Sequence, residues 1–272
     1  MSNKMNEESW NRLSVFYQEF TRISLNNFHY NPYGPGDKEL GIIGDVKGLD
    51  VLDVGCGCGQ NSIVLSKWGA KSVTAIDQSE SQLDYAKRLA KREKQDIRIL
   101  KCDMEDMSIL PDDSFDLVVS SHAMNYASNI EKVFMECSRV LRYGGRIIIC
   151  MAHPIWIVLG EALEKGNLNS IANYFDTKRE RWDWERRSGE KIATFESTPW
   201  RLSQIVNALC NARFIIKRLE EPRGYSKEEM RKIPADAIPY ADAMWRNEEF
   251  IKANQIVPYS LIVAAVKQKE AY

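Results

Sequence analysis

From about Leu49 to Ala152 the hydrophobic pattern switches repeatedly between two periods. Short runs rich in Val and Ile at 50–54, 72–76, 97–101, 115–120 and 145–151 read as strands, and the stretches 60–68, 79–94 and 130–141 between them read as helices. Ser79, with Gln82 three residues on, has the capping-box pattern of a helix start. Strand and helix in alternation predict an α/β fold with a parallel sheet and helices on both faces. Ahead of this block, 8–24 reads as an amphipathic helix in which Trp10, Leu13, Phe16, Tyr17 and Phe20 recur at helical steps. Behind it the alternation stops. A helical start at 155–163 leads into an aromatic, highly charged stretch at 174–191 and a further helix at 202–210. Two more strands are predicted at 214–219 and 259–266, and the insertion 222–258, with Pro222, Pro234, Pro239 and Pro258, reads as loop and short helix.

Composition narrows the function classes. The 272 residues hold 37 Lys and Arg against 38 Asp and Glu, a net charge of −1, so the basic excess of a dedicated nucleic-acid binder is missing. The stretch 178–191 (KRERWDWERRSGEK) is basic by only two charges, six against four, which reads as an ion-paired face. The longest apolar runs are far below the roughly 20 residues of a membrane-spanning helix. The first ten residues are polar, and the six cysteines form no CxxC pair or metal set. The expectation is a cytoplasmic protein with reduced thiols, no bound metal and no membrane partner.

The strongest local signal is Asp53-Val54-Gly55-Cys56-Gly57-Cys58-Gly59, between the first strand and its helix. Alternating glycines permit a sharp turn and bring bare backbone against a ligand. Their spacing departs from the GxGxxG of dinucleotide-binding folds, since position 60 is Gln60. Asp77 in AIDQS and Asp103 in CDMED follow the next two strands, so three carboxylates are expected on the rim where α/β sheets bind ligands. The ordered set DVGCGCG, AIDQS, CDMED, SFDLVVSSHAMNY and RVLRYGGRIIIC resembles the successive motifs of class I S-adenosylmethionine-dependent methyltransferases. FIIKRLEEP and SLIVAAVKQ resemble the terminal antiparallel hairpin of that fold. The resemblance implies a Rossmann-like, seven-stranded, mostly parallel sheet with helical and aromatic lid insertions. The domain plan is then a helical cap at 1–47, a cofactor-binding core at 48–152, a substrate lid at 153–212 and terminal core strands at 213–272 around the insertion 222–258.

The same resemblance implies S-adenosylmethionine as cofactor and a role for each matching residue. Asp53, Gly55, Cys56, Gly57 and Gly59 would hold the methionine end, Asp77 and Gln78 the ribose, and Asp103 and Met104 the adenine, with Ser120 and Ser121 facing the sulfonium. His153 and His122 end the fifth and fourth strands, where the methyl group must sit, and are candidate bases; His153 precedes Pro154, which restricts its backbone. Tyr17 is a further catalytic candidate on the N-terminal helix. His29, Tyr30 and Tyr33, in the segment HYNPYGPG, are candidates for the acceptor pocket. Five of the seven tryptophans (Trp156, Trp182, Trp184, Trp200 and Trp245) fall in the two insertions, as expected of a lid over a small acceptor. SSHAMNY is not the [DN]PP[YFW] run of enzymes that methylate DNA bases or glutamine amides. Methylation of a small molecule at N, O or C is therefore the leading reading. Methylation of RNA or protein, or cofactor binding without chemistry, remain alternatives, and the oligomeric state is left open, a homodimer among the options.

Overall fold

The computed structural model describes residues 2–21, 23–176, 178–185, 189–234 and 248–268. Trp245 and the side chain of Phe20 lie outside the described residues. In chain order the elements are α1 (Ser2–Thr21), α2 (Asp37–Leu40), β1 (Asp50–Val54), α3 (Gln60–Lys67), β2 (Ser72–Asp77), α4 (Glu80–Glu93), β3 (Arg98–Lys101) and β4 (Phe115–Ser121). These are followed by α5 (Ile130–Val140), β5 (Leu141–Ala152), α6 (Pro154–Lys165), β6 (Glu180–Glu185), β7 (Lys191–Ser197) and α7 (Leu202–Asn211). The chain closes with β8 (Phe214–Glu220), α8 (Lys227–Lys232), α9 (Glu248–Ala253) and β9 (Ser260–Lys267).

Seven strands form one sheet in the order β3-β2-β1-β4-β5-β9-β8, parallel from β3 to β5 and antiparallel at β9 and β8. Val51, Leu52 and Val54 of β1 are fully buried because both faces of the sheet are covered. One face packs on α5 and α7 through residues such as Val133, Phe134, Ile205 and Leu209. The other packs on α3 and the segment around Phe28, Tyr30 and Ile43. Local rules set the helix starts. Ser79 Oγ accepts the Gln82 N–H at the head of α4, and Asn129 Oδ1 accepts the Lys132 N–H at the head of α5.

The connection after β1 runs to one side of it, and the chain later returns to its other side as β4. This reversal opens a crevice beyond the carboxyl ends of β1 and β4, where ligands bind in open α/β sheets.

Two departures from the expected pattern shape that crevice. The aromatic, charged stretch after α6, for which the pattern predicts no element, forms strand β6, which pairs with β7 as an antiparallel hairpin. Helix α1 begins six residues earlier than the apolar stripe predicts, and its polar residues bond outward. Asn6 exchanges two hydrogen bonds with the Glu196 backbone at 2.8 and 2.9 Å, and Ser9 Oγ donates to the Thr194 carbonyl at 2.5 Å, fastening α1 to β7. Asn11 Oδ1 accepts from Ser79 Oγ at 2.7 Å and from the Ser81 N–H at 3.1 Å, fastening it to the head of α4. Helix and hairpin thus form a roof over the sheet edge. Among the described residues no helix is long and apolar enough to cross a membrane.

Candidate active site

Beneath this roof lies a cavity of about 640 Å³, within the range of small-ligand sites. Its floor is the glycine turn. Gly55, Gly57 and Gly59 all have positive φ, at 69°, 54° and 78°. The Gly55 and Cys56 N–H groups both donate to the Ile76 carbonyl at 2.9 Å, which ties the turn to the end of β2. A side chain at Gly55 would overlap the Ala123 methyl group, so the turn can lie against the end of β4 only as glycine.

Three carboxylates stand around the turn. Asp77 accepts the Gly57 N–H on Oδ2 and the Ser79 N–H on Oδ1, each at 2.9 Å. Asp53 accepts from Ser62 Oγ at 2.6 Å and is 2% exposed. Burial pushes both up, Asp53 to about 7, and no Lys or Arg of the described residues stands against either to offset it. Buried carboxylates without a cation are what a ligand carrying an ammonium and ribose hydroxyls would complete, so the residues present fit S-adenosylmethionine. Asp103 also lines the cavity, with its Oδ1 turned to the Glu105 N–H at 2.9 Å. Gln78, Cys56 and Met104 lie on the same wall.

The far wall is aromatic. Trp10 and Tyr17 of α1, Tyr126, Trp156 of α6, and Trp182 and Trp184 of β6 all face the cavity. Trp10 meets Tyr17 and Tyr126 edge-on at 5.6 and 5.7 Å, and Trp182 stacks on Phe195 at 4.8 Å. Between the two walls sit Ser121, His122, His29, Asn61 and Asn125. His122 has φ 54°, and its Nε2 lies 2.7 Å from the Tyr30 carbonyl, which can only accept. Nε2 therefore carries the proton, and Nδ1 is left as the basic nitrogen. Burial lowers His122 and drives His29 down to about 3, so both rings are neutral near pH 7.

Six positions expected at the site lie elsewhere, each for a physical reason. His153 does not line the cavity: its Nδ1 accepts the Ile155 N–H at 2.9 Å as the N-cap of α6, and its Nε2 donates to Glu221 at 2.6 Å. Pro154 is the first residue of α6, and proline there places its predecessor at the cap. Ser120 points to the opposite face of β4 from Ser121, as strand alternation requires, and is buried. Gly59 turns the chain into α3 against Ala86. Tyr30 is fully buried and donates to Asp37 Oδ1 at 2.8 Å, holding the 28–43 segment on the sheet. Tyr33 packs under α9 against Phe250. Trp200 sits in the core, its Nε1 donating to the Met124 carbonyl at 3.2 Å.

Asn61, Asn125 and Tyr126 are wall residues that the sequence reading did not single out. MNY, directly after SSHA, was the available signal for two of them, because it continues the strand end that faces the crevice. Asn61 is fixed by two hydrogen bonds with the His29 backbone, a pairing across 32 residues that no local pattern announces.

Comparisons with known proteins agree with this geometry. The family described as Methyltransferase domain matches residues 52–149. An uncharacterized protein of Haemophilus influenzae is 26% identical over 227 residues, covering 78% of this chain and 87% of that protein. The uncharacterized methyltransferase YbaJ of Bacillus subtilis is 36% identical over 120 residues, 44% of this chain, and the chain spans about half (47%) of its length. The fold is shared with the S-adenosylmethionine-dependent methyltransferase of Mesorhizobium loti, at TM-score 0.57 and 20% identity over 84% of this chain and 95% of that one. The methyltransferase-domain match covers the core at 52–149, and the glycine turn, acidic rim and sheet order around it resemble those of the class I S-adenosylmethionine-dependent methyltransferase fold.

Proposed function

We propose that the chain transfers the methyl group of S-adenosylmethionine to a small-molecule acceptor held between the glycine turn and the aromatic wall. The observation that carries this reading is one continuous cavity lined both by Asp53 and Asp77 and by a set of Trp and Tyr rings, with α1 and the β6–β7 hairpin contributing to its wall. A roofed space of this size suits a metabolite. A folded RNA or protein would need an open groove with cationic edges.

When bound, the cofactor supplies an electrophilic methyl group on a sulfonium, which an acceptor attacks in line. The chain's own contribution is to bind, align and exclude water. Asp77 would take the ribose hydroxyls on the acceptor sites that Gly57 and Ser79 leave open, and Gln78 would border them. Asp53 would take the methionine ammonium, with Gly55, Cys56 and Gly57 as the backbone cradle. Asp103 and Met104 would border the adenine. Ser121 and His122 line the same cavity, and His122 Nδ1 would be the base that takes a proton from an acceptor hydroxyl or ammonium. Tyr17, His29, Trp156, Trp182 and Trp184 would surround the acceptor. The test is incubation of the protein with metabolite extract and isotopically labelled methyl donor, followed by mass spectrometry. A labelled small molecule formed only with active protein supports the reading. Label found only in RNA or protein refutes it.

A further inference from the structure

The chain as a whole is almost neutral, at −1, yet its cavity is not. Beyond the three aspartates of the turn, Glu7, Glu105, Glu161, Glu164 and Glu180 reach its wall, against Lys165 as the one lysine and with no arginine among the described residues. Three of these glutamates have local work. Glu7 pairs with Lys101 at 2.7 Å, Glu105 accepts from the Ser128 backbone and hydroxyl, and Glu161 pairs with Lys165 at 2.5 Å. The side chains of Glu164 and Glu180 have no hydrogen bond or ion pair among the described residues; Glu164 stands near Glu161 and Lys165, whose ammonium is bonded to Glu161, and Glu180 stands near Asp176 and Glu161.

The aromatic residues share this wall. One face of α6 lines the cavity from Trp156 and Ile157 at its start to Glu161, Glu164 and Lys165 near its end. At a rise of 1.5 Å per residue, Glu164 lies roughly 12 Å along the helix axis from Trp156. Gly160 makes room on that helix for the Trp156 ring, which a Cβ at 160 would strike at 2.7 Å. Across the cavity, β6 presents Glu180, Trp182 and Trp184, spaced by two and so on one side of the strand. Carboxylates interleaved with indole faces attract a cation twice over, by charge and by the negative ring face, and repel a carboxylate or phosphate.

We propose that the acceptor is an elongated organic cation, an amine or quaternary ammonium compound whose charged end sits between Glu164, Glu180 and Trp182, whose apolar body lies on Trp156 and Ile157, and whose opposite end carries the neutral hydroxyl or amine that takes the methyl group and gives up its proton. This rests on the methyltransferase reading above and names the substrate class for the same cavity.

The probes are three octyl compounds of one chain length: octyltrimethylammonium, octanol and octanoate. Each is titrated into the complete chain saturated with S-adenosylhomocysteine and followed by calorimetry. The expected result is octyltrimethylammonium binding at least tenfold tighter than octanol, with octanoate weakest. The double variant Glu164→Gln/Glu180→Gln, at two partly exposed positions, should lose that preference by tenfold or more while its affinity for S-adenosylhomocysteine stays within twofold. Octanoate binding as tightly as the cation, no binding of the cation, or an unchanged preference in the double variant would overturn the proposal while leaving the methyl-donor reading standing. Failure of S-adenosylhomocysteine itself to bind would instead remove the reading on which the proposal rests.

Discussion

Replacing Asp77 by alanine measures how much of the donor's grip comes from one side chain. Its two oxygens each hold one backbone N–H at 2.9 Å, from Gly57 and Ser79. A carboxylate oxygen offers about two acceptor sites, so each retains one for a ribose hydroxyl. A hydrogen bond to a charged acceptor contributes about 1.5–3 kcal/mol. For two hydroxyls the range is about 3–6 kcal/mol, and because water can enter the space left by alanine the lower end applies. About 3 kcal/mol is two powers of ten in Kd. Calorimetric titration of Asp77→Ala with S-adenosylhomocysteine should therefore show affinity weakened about 100-fold. Asp77→Asn should fare no better, since its amide NH2 must face either the Gly57 or the Ser79 N–H, donor against donor. Thermal melting of both variants keeps a folding defect apart from a binding defect. If cooperatively melting Asp77→Ala binds within threefold of the parent, the ribose role is wrong.

Other consequences follow from the same geometry. Gly55→Ala combines the left-handed backbone cost of about 1–2 kcal/mol with overpacking against Ala123 of about 1–3 kcal/mol. Urea unfolding should show a loss of about 2–5 kcal/mol, and adding Ala123→Gly should restore only the overpacking share. His153→Ala should lower stability by about 1 kcal/mol through the lost helix cap and leave turnover per folded molecule nearly unchanged; a hundredfold fall in turnover with intact melting would restore it to the chemistry. The Asp53 carboxyl is raised by burial to about 7 from an unfolded value near 3.9, so the folded chain holds a proton there that the unfolded chain has lost. Stability of the ligand-free protein should fall as pH rises from about 4 through 7. A donor ammonium favours the ionised form, so S-adenosylhomocysteine affinity should weaken below pH 7, by up to about tenfold per unit, with proton release on binding. Titrations between pH 5.5 and 7.5 in two buffers of different ionisation enthalpy read both, and Asp53→Asn should flatten the profile.

The sheet and its acidic rim were legible because each depends on short-range grammar. β1, β2 and β4 are brief, largely apolar runs bounded by turn residues, which read as buried strands, and Asp53, Asp77 and Asp103 were placed by counting from strand ends. The hairpin was not legible. In Arg181-Trp182-Asp183-Trp184-Glu185 the alternation is present, but the charged residues dominate the composition, and only Trp184 is buried. Its second cover is α1, joined through Asn6–Glu196 and Ser9–Thr194 across some 190 residues of chain, 190 and 185 positions apart. His153 and Tyr30 show a different limit. Both lie close in sequence to cavity residues, yet His153 caps a helix and bonds Glu221, 68 positions on, while Tyr30 anchors to Asp37, seven positions on, so nearness to a cavity residue does not decide where a side chain turns. The wall carboxylates Glu164 and Glu180 had no sequence signal either, since they gain meaning only when α6 and β6 face the same space.

Apart from Tyr126, between β4 and β5, the roof and the aromatic wall come from segments attached before β1 and after β5, whereas the glycine turn and its aspartates belong to the sheet itself. Mutational drift in α1, α6 or the hairpin can thus reshape what is admitted without loosening the hold on the methyl source. Selection is free to retarget such a protein by redrafting its periphery, and an engineer who grafts a new hairpin onto 180–197 would be working along the same seam.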